Sequence, residues 1–505
     1  MNRITKNVIA NSLGGSWNIL LTLVAIPLQI RLLGAEAYGL IGFVASLQSI
    51  LVVFDFGIPT TIIREVARDS SPNYGNSRDL VQTSHTIYWA VAGLFALIIF
   101  VGADWISQHW LTVVTLSPAY VAGGIRITAF YVLFTWPLNI YVGIFSGLQQ
   151  LKLLNLLRAI SVTATQLGGI IILLLKNDLY VFLYWMTFVS FINFVAHVYL
   201  SRRAMPGLKL GPRFSIPVIR HVWRFSFDMN VISTLSVVFT QADRLLISTL
   251  LPLNFLGYYN LAFNLTRGIL ALQAFFTSAL LPALANNHSQ GDEALLKLRY
   301  NKFAQLMIYV VALPSFALMF FGHIILTAWT STDVVTYAYP VVVLLALGAL
   351  LNTIVSAPYI LSIAAGHSYI PLTINLVGVL IYVPVLYFLI IFGGIVGAAI
   401  AWVLINLYYT IVQIPWTQRR TLHENSSDYF AYNVLPFLAL GGLFWVGNRL
   451  VGANLNSSSL QSWLIIMIIC VLYVVIGFLF LDKTIQRSIL NIPSGLRIAF
   501  LKRER

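Results

Sequence analysis

Three observations predict an all-α integral membrane protein with about 14 transmembrane helices. Hydrophobic residues make up 59% of the 505 and charged residues only 9%, with a mean hydropathy of +0.85. A soluble domain needs a charged surface, so the solvent this composition suits is lipid. Apolar segments near the ~20 residues that a bilayer core demands recur almost end to end, and helices satisfy their own backbone in hydrocarbon. Positive charge collects in every second connection, which is the mark of a fixed orientation.

The spans are expected at 10–30, 38–57, 80–103, 119–146, 156–175, 180–200, 225–250, 256–281, 303–329, 337–364, 370–391, 395–414, 430–451 and 460–481. With Arg3 and Lys6 inside, the connection after the second span carries Arg64, Arg68 and Arg78, and the one after the fourth carries Lys152 and Arg158. The connection after the sixth holds Arg202, Arg203, Lys209, Arg213, Arg220 and Arg224; after the eighth come Lys297, Arg299 and Lys302, and after the twelfth Arg419 and Arg420. Only Arg31, Lys176 and Arg449 fall on the other side. Both termini are therefore expected in the cytoplasm, and the net charge of +14 is mostly a topology signal. It argues for anionic lipid head groups as partners and against nucleic acid, since no soluble basic domain is present to carry it.

The long basic connection divides the first twelve spans into six and six. The expected organisation is an N-terminal six-helix bundle at 1–200, a cytoplasmic linker at 201–224, a second six-helix bundle at 225–415, two extra spans at 416–482 and a basic tail at 483–505. Shifting the chain by 218 residues lays Leu32-Leu33 on Leu250-Leu251, Gly39 on Gly257 and Leu47 on Leu265, around the joint between each half's first two helices. Repeated six-helix halves are a common transporter plan. Pro27, Pro137, Pro314, Pro358 and Pro384 fall inside spans and permit kinks, although proline is also simply more frequent in membrane helices.

Other signals exclude classes. The single cysteine, Cys470, lies inside the last span, so neither a disulfide framework nor a thiolate metal site is expected. The first span follows Met1 so closely that it reads as a retained helix. No metal-ligand spacing, phosphate-binding glycine loop or pair of outer-loop carboxylates suggests an enzyme.

Ionisable groups inside spans are costly and mark function by default. The set is Asp55, Arg126, Asp228, Asp243, Arg244 and Arg267. Asp55 and Asp228 fall near the cytoplasmic boundary, where solvated or capping roles are open to them. Arg126 lies close enough to the outer boundary to snorkel. Arg267 lies ~15 Å deep by the helical rise and needs a wet cavity or an acid. Asp243 and Arg244, as neighbours, point about 100° apart and are not expected to neutralise each other. Asp243 either pairs with Arg267 as a structural staple or serves a cationic cavity or a coupling ion.

The strings RLLGAEAYGLIGFVASLQSILVVFDFGIPTTIIREVAR (31–68), TQADRLLIST (240–249) and LGYYNLAFNL (256–265) resemble the polysaccharide-unit (O-antigen, Wzx-type) flippases of the multidrug/oligosaccharidyl-lipid/polysaccharide exporter superfamily. The joint Leu33, Gly34, Tyr38 and Gly39, the Asp55-x-Gly57 turn and the Arg64, Glu65, Arg68 run carry the likeness. It implies two six-helix bundles forming a V around a central cavity, with two peripheral helices. It also implies movement of an undecaprenyl-diphosphate-linked sugar repeat to the outer leaflet of a bacterial inner membrane, beside a polysaccharide polymerase and a chain-length regulator. Guanidinium groups suit the pyrophosphate, which makes Arg267, Arg244 and Arg126 the expected substrate ligands and Asp55, Arg64 and Glu65 structural or gating groups.

The related lipid II flippase uses arginines on helices one, two and eight. Arg267 matches the last, while helices one and two here lack an arginine, which favours another glycan. The same relative implies a sodium site from Asp243 or Asp228 with Asn375, although Val379 stands where a second acid is required, and the coupling ion is expected to be Na+ or H+. Two alternatives stay open: a cation-coupled exporter of small drugs on the same fold, which wants cavity acids, and a membrane polymerase or ligase of sugar-lipids, which wants a large outer loop.

Overall fold

The computed structural model describes residues 3–69, 71, 74–209, 211, 213–290, 292–454 and 460–490. Among them the chain is almost wholly helical, and its β-structure is one isolated bridge between Thr112 and Pro252. Among the described residues eleven helices are long and apolar enough to cross a membrane, and the first helix adds a shorter apolar run, Trp17–Leu33. One of the eleven, Tyr369–Leu422, is 54 residues long and merges two of the expected spans. Its break is at Gly394, whose φ of 56° is left-handed. The chain divides into two compact units, Met1–Leu261 with Ile390–Ile395 and Ala262–Leu389 with Val396–Arg505.

The first unit begins with α1 (Arg3–Leu33) and α2 (Ala35–Leu51), separated only by Gly34 at φ 85°. A short 3-10 turn, Val52–Asp55, then leads through left-handed Phe56 and Gly57 into α3 (Ile58–Arg68). The Asp55-x-Gly57 motif is thus a helix break. Helices α4 (Gly75–Trp105), α5 (Pro118–Thr135) and α6 (Leu138–Gly147) follow, with Pro137 dividing the last two. The fifth span starts at Leu151, five residues before the expected 156. It runs as α7 (Leu151–Thr163), a π-helical turn at Ala164–Gly168, and α8 (Gly169–Leu175). In that turn the Ala164 carbonyl accepts the Trp185 indole N–H at 2.9 Å. Next come α9 (Leu179–Ala204), α10 (Ile216–Leu250) and the first turns of α11 (Leu253–Ser289).

The second unit holds the rest of α11, α12 (Glu293–Trp329), α13 (Thr332–Ala364) and most of α14 (Tyr369–Thr417). It continues through the short α15 (Ser426–Tyr429) and α16 (Leu435–Ala439) to α17 (Gly441–Asn454), α18 (Leu460–Phe480) and α19 (Lys483–Leu490). Tyr309 and Tyr473 stack with centroids 5.7 Å apart, and each hydroxyl donates to a carbonyl of the other's helix at 2.8 Å. Satisfying both hydroxyls in an apolar setting ties α18 to α12.

Candidate functional site

The outer end of the first unit, by the predicted orientation, is a knot of backbone. Glu36 is 4% exposed, and its carboxylate accepts the backbone N–H groups of Val114, Thr115 and Leu116 at 2.5, 2.7 and 3.0 Å, together with the Thr115 hydroxyl. Successive N–H groups in a turn make an anion nest, and here a side chain fills it. The same loop accepts the Leu253 N–H at the Thr112 carbonyl, 2.9 Å away. Beneath it α2 and α11 touch backbone to backbone. A methyl on Gly39 would lie 2.1 Å from the Leu253 oxygen, and one on Gly257 would lie 2.2 Å from the Ala35 oxygen. Only glycine permits this approach.

Asp243 and Arg244 sit on α10, buried at 5% and 9% exposure. One Asp243 oxygen accepts the Tyr259 hydroxyl at 2.6 Å; the other accepts the Arg244 backbone N–H at 2.8 Å. The guanidinium swings back toward its neighbour, with Nε 3.9 Å from the carboxylate, and Nη2 donates to the Thr240 carbonyl at 2.6 Å. The pair is thus a loose one at 3.9 Å, nearer than the 100° offset alone suggests, and the guanidinium directs a hydrogen bond to the Thr240 carbonyl instead. A sodium ion fits poorly here, because both carboxylate oxygens already accept hydrogen bonds and a guanidinium stands beside them. The side chain of Asp228, the other expected acid, lies outside the described residues.

Asp55 is buried, 7% exposed, and not solvated. It accepts the Tyr88 hydroxyl at 3.0 Å and the Asn139 amide at 3.1 Å, joining the break after α2 to α4 and α6. Arg64 pairs with Glu65 at 2.7 Å, half-buried on α3. Arg126 pairs with Asp104 at 2.5 Å on the exposed surface, a geometry worth ~0–1 kcal/mol. Just past α3, burial works to raise the Asp69 carboxyl, but hydrogen bonds from the Ser71 and Ser77 side chains and backbone outweigh it and bring it from 3.8 to about 2.

The second unit places Arg267 and Asn375. Arg267 is exposed on α11, ~21 Å along the helix from Leu253 by its rise. Asn375 is half-buried on α14. The first unit holds Asp243, Arg244 and Arg126, so the expected ligands divide between the units. The interior of the second unit is amide-rich: Gln273 donates to Asn352 at 2.9 Å, Asn352 to Asn406 at 2.8 Å, and Asn406 to the Trp402 carbonyl at 2.7 Å.

Sequence reasoning missed this chain, as well as the Tyr259–Asp243 hydrogen bond, the Glu36 nest and the place of Arg158. Each had a signal: a polar side chain inside an apolar run, overlooked because uncharged or because it was counted with a loop. Arg158 was assigned to a connection, yet it stands seven residues inside a continuous helix.

Residues 4–288 match the family model described as "Polysaccharide biosynthesis protein". A putative O-antigen transporter of Shigella flexneri is 22% identical over 428 residues, spanning 84% of this chain and 100% of the relative. An uncharacterized membrane protein in the cps region of Klebsiella pneumoniae is 23% identical over 224 residues, 42% of this chain and 44% of that one. Among solved structures, the lipid II flippase MurJ in an inward closed conformation superposes with a TM-score of 0.72 at 13% identity, covering 95% and 99% of the two chains. An inward-facing multidrug resistance MATE transporter gives 0.60 at 12% identity, covering 80% and 95%. The family-model match spans more than half of the chain, and the chain thus belongs to the polysaccharide biosynthesis protein family.

Proposed function

We propose that this protein is a flippase that carries undecaprenyl-diphosphate-linked oligosaccharide units from the cytoplasmic to the outer leaflet of a bacterial inner membrane. In this reading both termini are cytoplasmic, each half of the chain forms a six-helix bundle, and the extra helices are peripheral. The observation that carries it is Arg267, an exposed guanidinium deep in an apolar helix of a chain from this family. A pyrophosphate cannot enter hydrocarbon bare, and a planar cation meets it with two hydrogen bonds while the polyprenyl tail stays in lipid. Glycan repeat and tail need only a polar path beside a lipid-facing opening. The O-antigen relative and the flippase fold support the same substrate class.

The drug-exporter alternative wants carboxylates free to attract cations. In the first unit Glu36, Asp55 and Asp243 are instead buried and hydrogen-bonded. Proteoliposomes containing a lipid-linked glycan, scored by accessibility of the sugar on the far side, test the proposal. Protein-dependent crossing of the glycan lipid without transport of a cationic dye is expected; dye transport without glycan crossing overturns it. Imposed sodium or proton gradients in the same vesicles identify the coupling ion.

A further inference from the structure

Arg158 lies on α7, within the candidate span Leu151–Leu175 and ~10 Å along the helix from Leu151. It lines a cavity of about 330 Å³ together with Asn18 of α1, Ser146 of α6 and Asn155 of α7. Leu151, Leu154 and Val162 complete an apolar side. Space of this size takes about ten waters at roughly 30 Å³ each, enough for a hydrated phosphate group. The seam beside it is held by hydrogen bonds that cross from α1: Trp17 to Thr163 and Gln29 to Gln166, both at 2.9 Å. The cavity wall is therefore fixed by polar contacts inside an apolar span.

The charge in this cavity has no carboxylate beside it among the described residues. Within the first unit Glu36 is held by the 114–116 backbone, Asp55 by Tyr88 and Asn139, and Glu65 by Arg64. Asp69 is held by Ser71 and Ser77, Asp79 by Arg213, Asp104 by Arg126, Asp178 by the Val181 N–H, and Asp243 by Tyr259. Arg158 itself makes no hydrogen bond or ion pair among the described residues. An intramembrane guanidinium without a counter-ion is costly unless an anion or water meets it.

We infer that the Arg158 cavity is a binding site for a lipid phosphate. The guanidinium fork supplies the anion contact, the Asn18, Ser146 and Asn155 side chains hydrogen-bond the remaining oxygens, and the leucine side receives the start of a hydrocarbon chain. Two sources share this chemistry: the polyprenyl diphosphate of a transport substrate and an ordinary bilayer phospholipid. The first source rests on the flippase reading, and the phosphate chemistry does not.

The test is native mass spectrometry of the purified full-length protein with farnesyl diphosphate, phosphatidylglycerol and inorganic pyrophosphate, beside glycan-lipid crossing in vesicles. Arg158→Gln is expected to weaken lipid-phosphate binding at least about tenfold, the loss of a charge-assisted contact, while Arg158→Lys recovers part of it. Ser146→Met, which fills the cavity and keeps Arg158, is expected to weaken binding as well, and it decides the question if Arg158→Gln fails to accumulate. Preference for farnesyl diphosphate over phosphatidylglycerol identifies the substrate source; equal binding identifies the bilayer. Undiminished binding in both Arg158→Gln and Ser146→Met overturns the site. Arginine-dependent binding without any glycan crossing leaves the site standing and removes the flippase reading.

Discussion

The joint between α1 and α2 and the joint between α10 and α11 stand 218 residues apart in sequence and touch in space. Ala35 and Gly39 meet Leu253 and Gly257, their own counterparts under that shift, and the two approaches are reciprocal. A Cβ on Gly42 would likewise run into the side chain of Asn260, its counterpart. The polar chemistry is not repeated. Asp243 and Tyr259, hydrogen-bonded in the second joint, correspond to Ala25 and Ile41 in the first, and Glu36 corresponds to Asn254. The two joints share the contact that brings two backbones together and differ in the groups around it. Close packing admits few residue types, whereas a polar group is free to change once its partner changes with it.

The largest effect should come from the shared contact. Gly39→Ala and Gly257→Ala each push a methyl to within 2.1–2.2 Å of a backbone carbonyl oxygen that cannot swing aside, which puts the cost at the top of the overpacking range, ~3 kcal/mol or more. Both variants should lower membrane protein level and thermal stability in detergent to a similar degree. A loss at one position with full tolerance at the other breaks the equivalence of the two joints.

A smaller effect should follow the group that is not shared. Tyr259→Phe strips a buried carboxylate of one of its two hydrogen bonds, at a cost of ~1.5–3 kcal/mol. Asp243→Asn keeps an acceptor for the tyrosine and removes the charge. If Asp243 couples transport to an ion, Asp243→Asn abolishes the ion dependence at normal protein level; if it is only a staple, protein level falls and ion dependence persists. Unchanged transport, ion dependence and level together would remove Asp243 from the account.

The smallest effect lies outside both joints, in the turn after α3. The depressed Asp69 carboxyl contributes stability above its ordinary value of 3.8, and that contribution is lost as pH falls toward about 2. Asp69→Asn should therefore lower the unfolding temperature slightly at neutral pH, with the difference from wild type shrinking between pH 4 and 2. A difference that is constant across this range would mean that the carboxylate form contributes nothing.

Much of this was legible in the sequence because hydropathy is read residue by residue. Helical spans follow from apolar runs, and the shift that pairs Gly39 with Gly257 singled out two of the residues that touch. Their mutual contact was not legible, since matching residues under a shift specify likeness and not adjacency. Arg158 was misplaced because the fifth span begins at Leu151, and a charge near a span's end looks like a loop charge until the helix start is known. Tyr259 reads from the sequence as an outer-interface aromatic, and its role becomes visible only when the carboxylate it meets is placed. The amides Gln273, Asn352 and Asn406 carry no charge, and only their mutual hydrogen bonds set them apart from ordinary interior residues.

The central claim, that a cation deep in the membrane receives a pyrophosphate, rests on Arg267. The most direct measurement is surface glycan in a flippase-null strain carrying Arg267→Ala or Arg267→Lys, with membrane protein level measured alongside. Insertion should survive both changes, because alanine removes a costly charge and lysine adds none. Arg267→Ala should abolish surface glycan and Arg267→Lys should restore only part of it, since lysine lacks the planar fork. Full surface glycan in Arg267→Ala at normal protein level would contradict the account.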